Sequence, residues 1–159
     1  MGKECEIMKK EWEELVKSTV VDDNDYELEF FKPVSYDEFV LIEKKLEIKF
    51  SSQLSSLLKE TNGIKNKRFN EFMVWNIKEI ANQTLDWRQY LKDNEFKQTQ
   101  DYIFFSDNGC GELFGYQVSN GEIVSEKIWI WYPMHNEYEC ISSDLKNWIV
   151  GWFSGQLYT

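Results

Sequence analysis

Histidine, arginine, proline and cysteine are all scarce in this 159-residue chain, and most of these scarcities close off a class of function. One histidine, His135, excludes a three-histidine metal centre. Three cysteines, Cys5, Cys110 and Cys140, form no CxxC pair and are odd in number. Neither a zinc ribbon nor a disulfide framework follows from them, and reduced thiols in the cytosol fit best. Cations are outnumbered: 18 Lys+Arg against 28 Asp+Glu leave a net charge of −10. Such a surface repels phosphates and anionic lipid, which argues against direct nucleic-acid binding and favours a basic partner. No run approaches the roughly 18 apolar residues of a membrane span. The opening MGKECEIMKKEWEELVKS is charged and periodic, unlike a secretion signal, and Glu6 stands where myristoylation needs Ser or Thr. Lys exceeds Arg by 16 to 2 and Asn and Ile are plentiful, as in an AT-rich bacterial gene.

Aromatic residues, by contrast, are abundant: seven Trp, eight Tyr and eleven Phe. That load excludes disorder, and a chain of this length buries roughly 70% of its extended surface without staples. Met8, Trp12, Leu15, Val16 and Thr19 fall on one face of a first helix. Five of the eight residues from 22 to 29 are acidic, which reads as a solvated loop or as a steering surface. Ser35-Tyr36-Asp37-Glu38 predicts a capping box for a second helix with Phe39, Ile42 and Leu46 inward. Ser51 or Ser52 caps a third, with Leu54, Leu57, Leu58 and Thr61 inward, and Asn62-Gly63 ends it in the left-handed region. A polar loop with Lys65, Lys67 and Arg68 leads to a short strand at 72–75. Ile77, Ile80, Thr84, Trp87 and Leu91 then return to helical spacing.

From residue 102 the pattern is β. Tyr102 to Phe105 runs into the turn Asp107-Asn108-Gly109-Cys110-Gly111, and Glu112 to Val118 leads out. Asn120-Gly121 predicts a hairpin, and Ile128 to Tyr132, apolar on both faces, a central strand. A last helix capped by Ser142 or Ser143 carries Leu145, Trp148, Ile149 and Trp152 on one side. No repeat or linker interrupts the order. The expectation is one α+β domain over 1–159, with N-terminal helices, then an antiparallel sheet with helices packed on one face.

Chemistry-bearing motifs are few. His135 is the one imidazole base, Cys110 and Cys140 are possible nucleophiles, and no local signature supports a catalytic pair. Spacing does not exclude a carboxylate pair for glycoside hydrolysis, but 28 acids make chance pairs common and nothing singles out two of them. The turn at 107–112 lacks the spacing of a calcium loop, and no GK[ST] follows it. No cofactor is implied. Trp129 and Trp131 share one strand face, which lies either under a helix or open as a binding surface; Trp75 is equally ambiguous.

The run Phe39-x-x-Ile42-Glu43-x-x-Leu46-x-Ile48-x-Phe50-Ser51-x-x-Leu54-x-x-Leu57-Leu58-x-x-Thr61-Asn62-Gly63 resembles the N-terminal signature of the SUKH superfamily. Ile103 to Gly111 resembles the same family's strand and turn, and the resemblance spans roughly residues 36–154. Glu47 stands where that family often has glycine, Ser51 where it has proline, and Leu54 where an aromatic is common. The resemblance implies an α+β fold, a binding role and no catalytic residue. Many bacterial SUKH proteins are immunity proteins encoded beside secreted toxins, often nucleases; others are regulatory scaffolds, including yeast cell-wall regulators.

Family and charge together lead to the expectation of a cytoplasmic immunity protein, not an enzyme, that neutralises a cognate toxin, a basic nuclease domain. The alternative is a regulatory interaction scaffold without a toxin. Asp22, Asp23, Asp25 and Glu27 are the expected steering residues. Asp107, Glu112 and Glu137 are expected as further contacts, because loops at one end of a sheet gather, and Trp75 and Trp131 are expected as aromatic anchors.

Overall fold

A computed structural model describes residues 10–20, 26–94 and 102–157. The elements are α1 (Glu11–Thr19), β1 (Leu28–Phe30), α2 (Tyr36–Leu46), α3 (Ser52–Glu60), β2 (Ile64–Asn66), β3 (Glu71–Val74) and α4 (Ile77–Asp93). There follow β4 (Tyr102–Asp107), β5 (Leu113–Ser119), β6 (Glu122–Ile123), β7 (Ile128–Tyr132), β8 (Glu137–Ser142) and α5 (Leu145–Ser154). Two antiparallel sheets result, one ordered β1-β2-β3 and one ordered β4-β5-β7-β8 with β6 on β5. They meet where β3 runs beside β4: Trp75 N donates to Phe105 O at 2.9 Å, and Ser106 Oγ to Met73 O at 2.6 Å. The fold is α+β, as expected.

Helix starts follow short polar side chains. Ser35 Oγ accepts from Glu38 N at 3.1 Å and Ser51 Oγ from Leu54 N at 3.2 Å, caps of about 1 kcal/mol each. The cap of α5 is Asp144, not the expected Ser142 or Ser143; its carboxylate accepts from Asn147 N at 2.8 Å. α1 has no cap of its own. Glu60, at the end of α3, supplies both carboxylate oxygens to Trp12 N and Glu13 N at 2.9 and 2.8 Å, which pins α1 across α3.

The end of α3 differs from the expectation. The helix stops at Glu60 and Thr61 is extended, so Gly63 is not its left-handed terminus. Gly63 does have φ +98, but a Cβ there would lie 3.0 Å from both Asn76 N and Val74 O, so its role is close approach of two backbones. Asn62 Oδ1 accepts from Ile77 N at 2.8 Å, joining this corner to the start of α4.

Three strands escaped the sequence reading. β1 lies in the acidic stretch, β2 in the polar loop and β8 after the histidine loop. All are short or exposed on one side, and they gain their order from pairing with β2, β3 and β7. The expected central strand is β7, which sits between β5 and β8. The hairpin at Asn120-Gly121 has φ of 52 and 77, the left-handed pair of a type I′ turn.

Helices meet both faces of the five-stranded sheet rather than one. Trp148 of α5 makes edge contacts with Phe105 and Phe114, at 5.0 and 5.2 Å between ring centroids. Trp87 of α4 meets Trp131, which stacks on Phe104. Adjacent residues of a strand point to opposite faces. The apolar runs 102–105 of β4 and Ile128–Tyr132 of β7 therefore need cover on both.

Candidate functional site

The antiparallel pairings carry several distant residues to one end of the five-stranded sheet. Asp107 ends β4 opposite Leu113, Leu113 pairs with Trp131, and Tyr132 pairs with Glu137. The β4–β5 turn and the β7–β8 turn are consequently neighbours, and Asp107, Glu112 and Glu137 share that end as expected.

The first turn is held by side-chain acceptors. Asp107 Oδ1 accepts from Gly109 N at 2.8 Å, and Asn108 Oδ1 from Cys110 N at 2.9 Å and Glu112 N at 3.2 Å. Asn108 also donates its amide to Glu112 Oε1 at 3.0 Å, which fixes that carboxylate. In the second turn, His135 N donates to Tyr132 O at 3.2 Å and Asn136 adopts φ 50. The Trp131 indole N–H donates to Asn136 Oδ1 at 3.1 Å, fastening the turn to the core.

Between the turns and α4 lies a cleft of about 470 Å³, lined among others by Trp87, Tyr90, Glu112, Tyr132, Met134 and His135. Burial, and then the carboxylates of Glu139 and Glu112, push the Tyr132 phenol above its ordinary value. Both carboxylates therefore act on one aromatic wall of the cleft. Met134 is 90% exposed and Tyr90 42%, so the wall continues into solvent. An aromatic cleft rimmed by carboxylates suits a cationic partner surface, with rings to desolvate and acids to steer.

Two expected anchors are corrected. Trp75 and Trp131 are core residues, 4% and 2% exposed. Trp75 closes β3 onto β4 through its backbone, and Trp131 is covered by Trp87 at 5.2 Å and backed by Phe104. Trp131 holds the cleft in shape from beneath. The accessible rings are instead Trp87, Tyr90 and Tyr132, with Met134 beside them. Trp87 read as helix interior in the sequence; the signal available was Tyr90 three residues on, which puts a second ring on the same flank.

Glu27 is exposed just before β1, an outer strand of the three-stranded sheet, and so stands apart from the cleft. Its backbone is tied down, with N donating to Asn66 Oδ1 at 2.9 Å and O accepting from Lys67 N at 2.8 Å. Asp22, Asp23 and Asp25 lie outside the described residues. Cys110 and His135 line the same cleft, and Cys110 and Cys140 are exposed free thiols. Among the described residues, no three His, Cys, Asp or Glu side chains are grouped to hold a metal ion, and no helix is long and apolar enough to cross a membrane.

No curated protein matches the chain. The SUKH_6 family model, described as SMI1-KNR4 cell-wall, matches residues 36–149, a span that includes α2 to β8, both turns and the cleft. Members of this family are generally non-enzymatic immunity or regulatory proteins. From the capped helix pair through the gathered turns to the start of α5, the chain belongs to the SUKH superfamily.

Proposed function

We propose that this protein is a cytoplasmic immunity protein that binds and neutralises a cognate secreted toxin domain, a basic nuclease, without enzymatic activity of its own. The observation that carries the reading is an aromatic cleft that opens to solvent with Glu112 in its wall, at the end of the sheet that Asp107 and Glu137 share. A nuclease surface must be basic to hold phosphates, and a carboxylate-rimmed cleft competes for the same charges. Family membership supports a protein partner, and the net charge of −10 supports a basic one. The exposed thiols of Cys110 and Cys140 fit a reducing compartment.

The test is co-expression with the toxin domain encoded beside this gene, followed by association kinetics of the purified pair at low and high salt. Protection from toxicity and one-to-one binding, with an association rate that falls as salt rises, are the expected results. Glu112→Lys with Glu137→Lys should slow association about tenfold at low salt and change dissociation less. An unchanged rate for the double variant would move the interface elsewhere. Protection is expected to need one molecule of this protein per toxin; sub-stoichiometric protection that Cys110→Ala or His135→Ala abolishes would point to catalysis.

A second reading, a regulatory scaffold, is favoured by the cell-wall description of the matching family. A genome context with no toxin gene beside this one supports it.

A further inference from the structure

The outward face of α2 is unusual in an acidic protein. Tyr36, Val40 and Leu41 are 78, 42 and 63% exposed, and Lys44 and Lys45 follow them on the same two stripes, four residues on. Across a groove of about 540 Å³ stands α4 with Lys78, Ala81 and Asn82, and Ile42 contributes to the floor. None of the three lysines makes an ion pair with a described residue. The acids nearest in sequence are partly engaged: Glu43 accepts from Phe50 N at 2.9 Å and Glu79 from Gln83 Nε2 at 2.8 Å. Asp37 and Glu47 are exposed at the two ends of α2, and Glu38 is half-buried in its first turn. The middle of the groove is therefore positive and apolar on a chain of net charge −10.

We infer that the α2–α4 groove, with Leu41, Lys44, Lys45 and Lys78, is a second docking site, for an acidic amphipathic segment of a partner protein. Charge complementarity selects an acidic occupant. The exposed Leu41 and the apolar floor select one with apolar side chains on the facing side, as helix-in-groove recognition requires. No aromatic ring is among the groove's lining residues, so the three lysines have no stacking platform there for a single-stranded nucleic acid. Against the repulsion of the whole chain, they attract anionic lipid weakly. The site is independent of the acidic cleft. Lys78 and Trp87, nine residues apart at 3.6 per turn, fall on opposite sides of α4, so the two surfaces border that helix from its two flanks.

The test uses a synthetic 18-residue peptide of Glu, Ala and Leu, its leucines at helical i, i+3, i+4 and i+7 spacing, and a control with Lys for every Glu. Saturable binding of the acidic peptide alone is expected, with amide shift changes confined to α2 and the first half of α4. Binding should weaken at least tenfold in Lys44→Glu/Lys45→Glu/Lys78→Glu and several-fold in Leu41→Ala. Equal binding of the two peptides, an unaffected triple variant, or shift changes elsewhere would overturn the assignment. So would tighter lysine-dependent binding to phosphatidylserine vesicles or to single-stranded DNA. The shift map with the parent protein decides the matter even if the triple variant fails to fold. None of these outcomes depends on whether a toxin covers the acidic cleft.

Discussion

Two aromatic clusters flank the five-stranded sheet, and they differ in what closes them. Against α5, Trp148 lies over Phe105 and Phe114 and stacks on Trp152; Trp148, Phe105 and Phe114 are fully buried. Against α4, Trp131 is nearly as buried, but the ring over it, Trp87, is only partly buried, the next, Tyr90, is exposed, and the row ends at Met134 in solvent. The residue types are the same on both sides. One side is closed over Trp148 by a helix packed through its own apolar face, with Trp152 left part-exposed at the edge of a smaller groove of about 240 Å³, and the other thins out where α4 and two turns leave a gap. A tryptophan here becomes core or contact surface according to what lies over it, and neither composition nor period decides that.

Truncation should separate the sides most sharply. Trp148→Ala empties the sealed side and is expected to cost about 3–5 kcal/mol by denaturant titration. Trp87→Ala, at a partly buried ring, should cost well under half as much while weakening partner association at least tenfold. Similar stability losses for the two would erase the distinction. Trp131→Phe should fall between, at about 1–2 kcal/mol. It retains a ring over Phe104 but loses volume and the indole bond that holds Asn136. Its partner affinity should fall with the loosened turn, a readout that Trp148 variants which still fold should not move.

A control away from both sides comes from Glu47. It ends α2 with φ 57, where an L side chain crowds the following carbonyl. Glu47→Gly should raise stability by about 1 kcal/mol in the same titration and leave partner association unchanged. A loss of stability would mean that the Glu47 side chain makes up for its backbone strain.

This position also illustrates what the sequence could reveal. The family pattern has glycine there, and the left-handed backbone gives the physical reason. Caps at Ser35 and Ser51, the inner faces of α2 and α3, and the Asn120-Gly121 hairpin were legible because each depends on residues within four positions. β1 was not, since its partner lies 38 residues on, with Leu28 opposite Asn66; β2 and β8 were not, since both are short or one-sidedly exposed runs that take their order from β3 and β7. Asp107 and Glu112 flank one turn that the sequence shows, but bringing Glu137 beside them takes the pairing of β5 with β7 and of β7 with β8, which the strand pattern alone did not order. The mistaken anchors failed for a different reason. Trp131 is covered by Trp87, which lies 44 residues earlier, and no local spacing records that meeting.

The smallest contrast is in the two buried tyrosines, one for each side. Tyr102, on the α4 side, is stacked with Phe104 and accepts a hydrogen bond from Gln117 Nε2 at 3.1 Å. Burial pushes its phenol from 10.0 to about 12, with the Gln117 bond opposing. Tyr116, against Phe105 on the α5 side, is pushed far higher by burial. In both, folding favours the neutral phenol, so the unfolded chain loses its proton first as pH rises. The stability tied to Tyr102 is fully present below pH 10.0 and is lost as pH climbs towards about 12. Phenolate absorbance should show Tyr102 ionising while far-ultraviolet dichroism is still native, a step absent in Tyr102→Phe. The Tyr116 phenolate should form only together with the loss of dichroism, so Tyr116→Phe removes amplitude from the unfolding step alone. If Tyr116→Phe instead removed amplitude before unfolding, the α5 side would admit solvent as readily as the α4 side, and the sealed core would not be sealed.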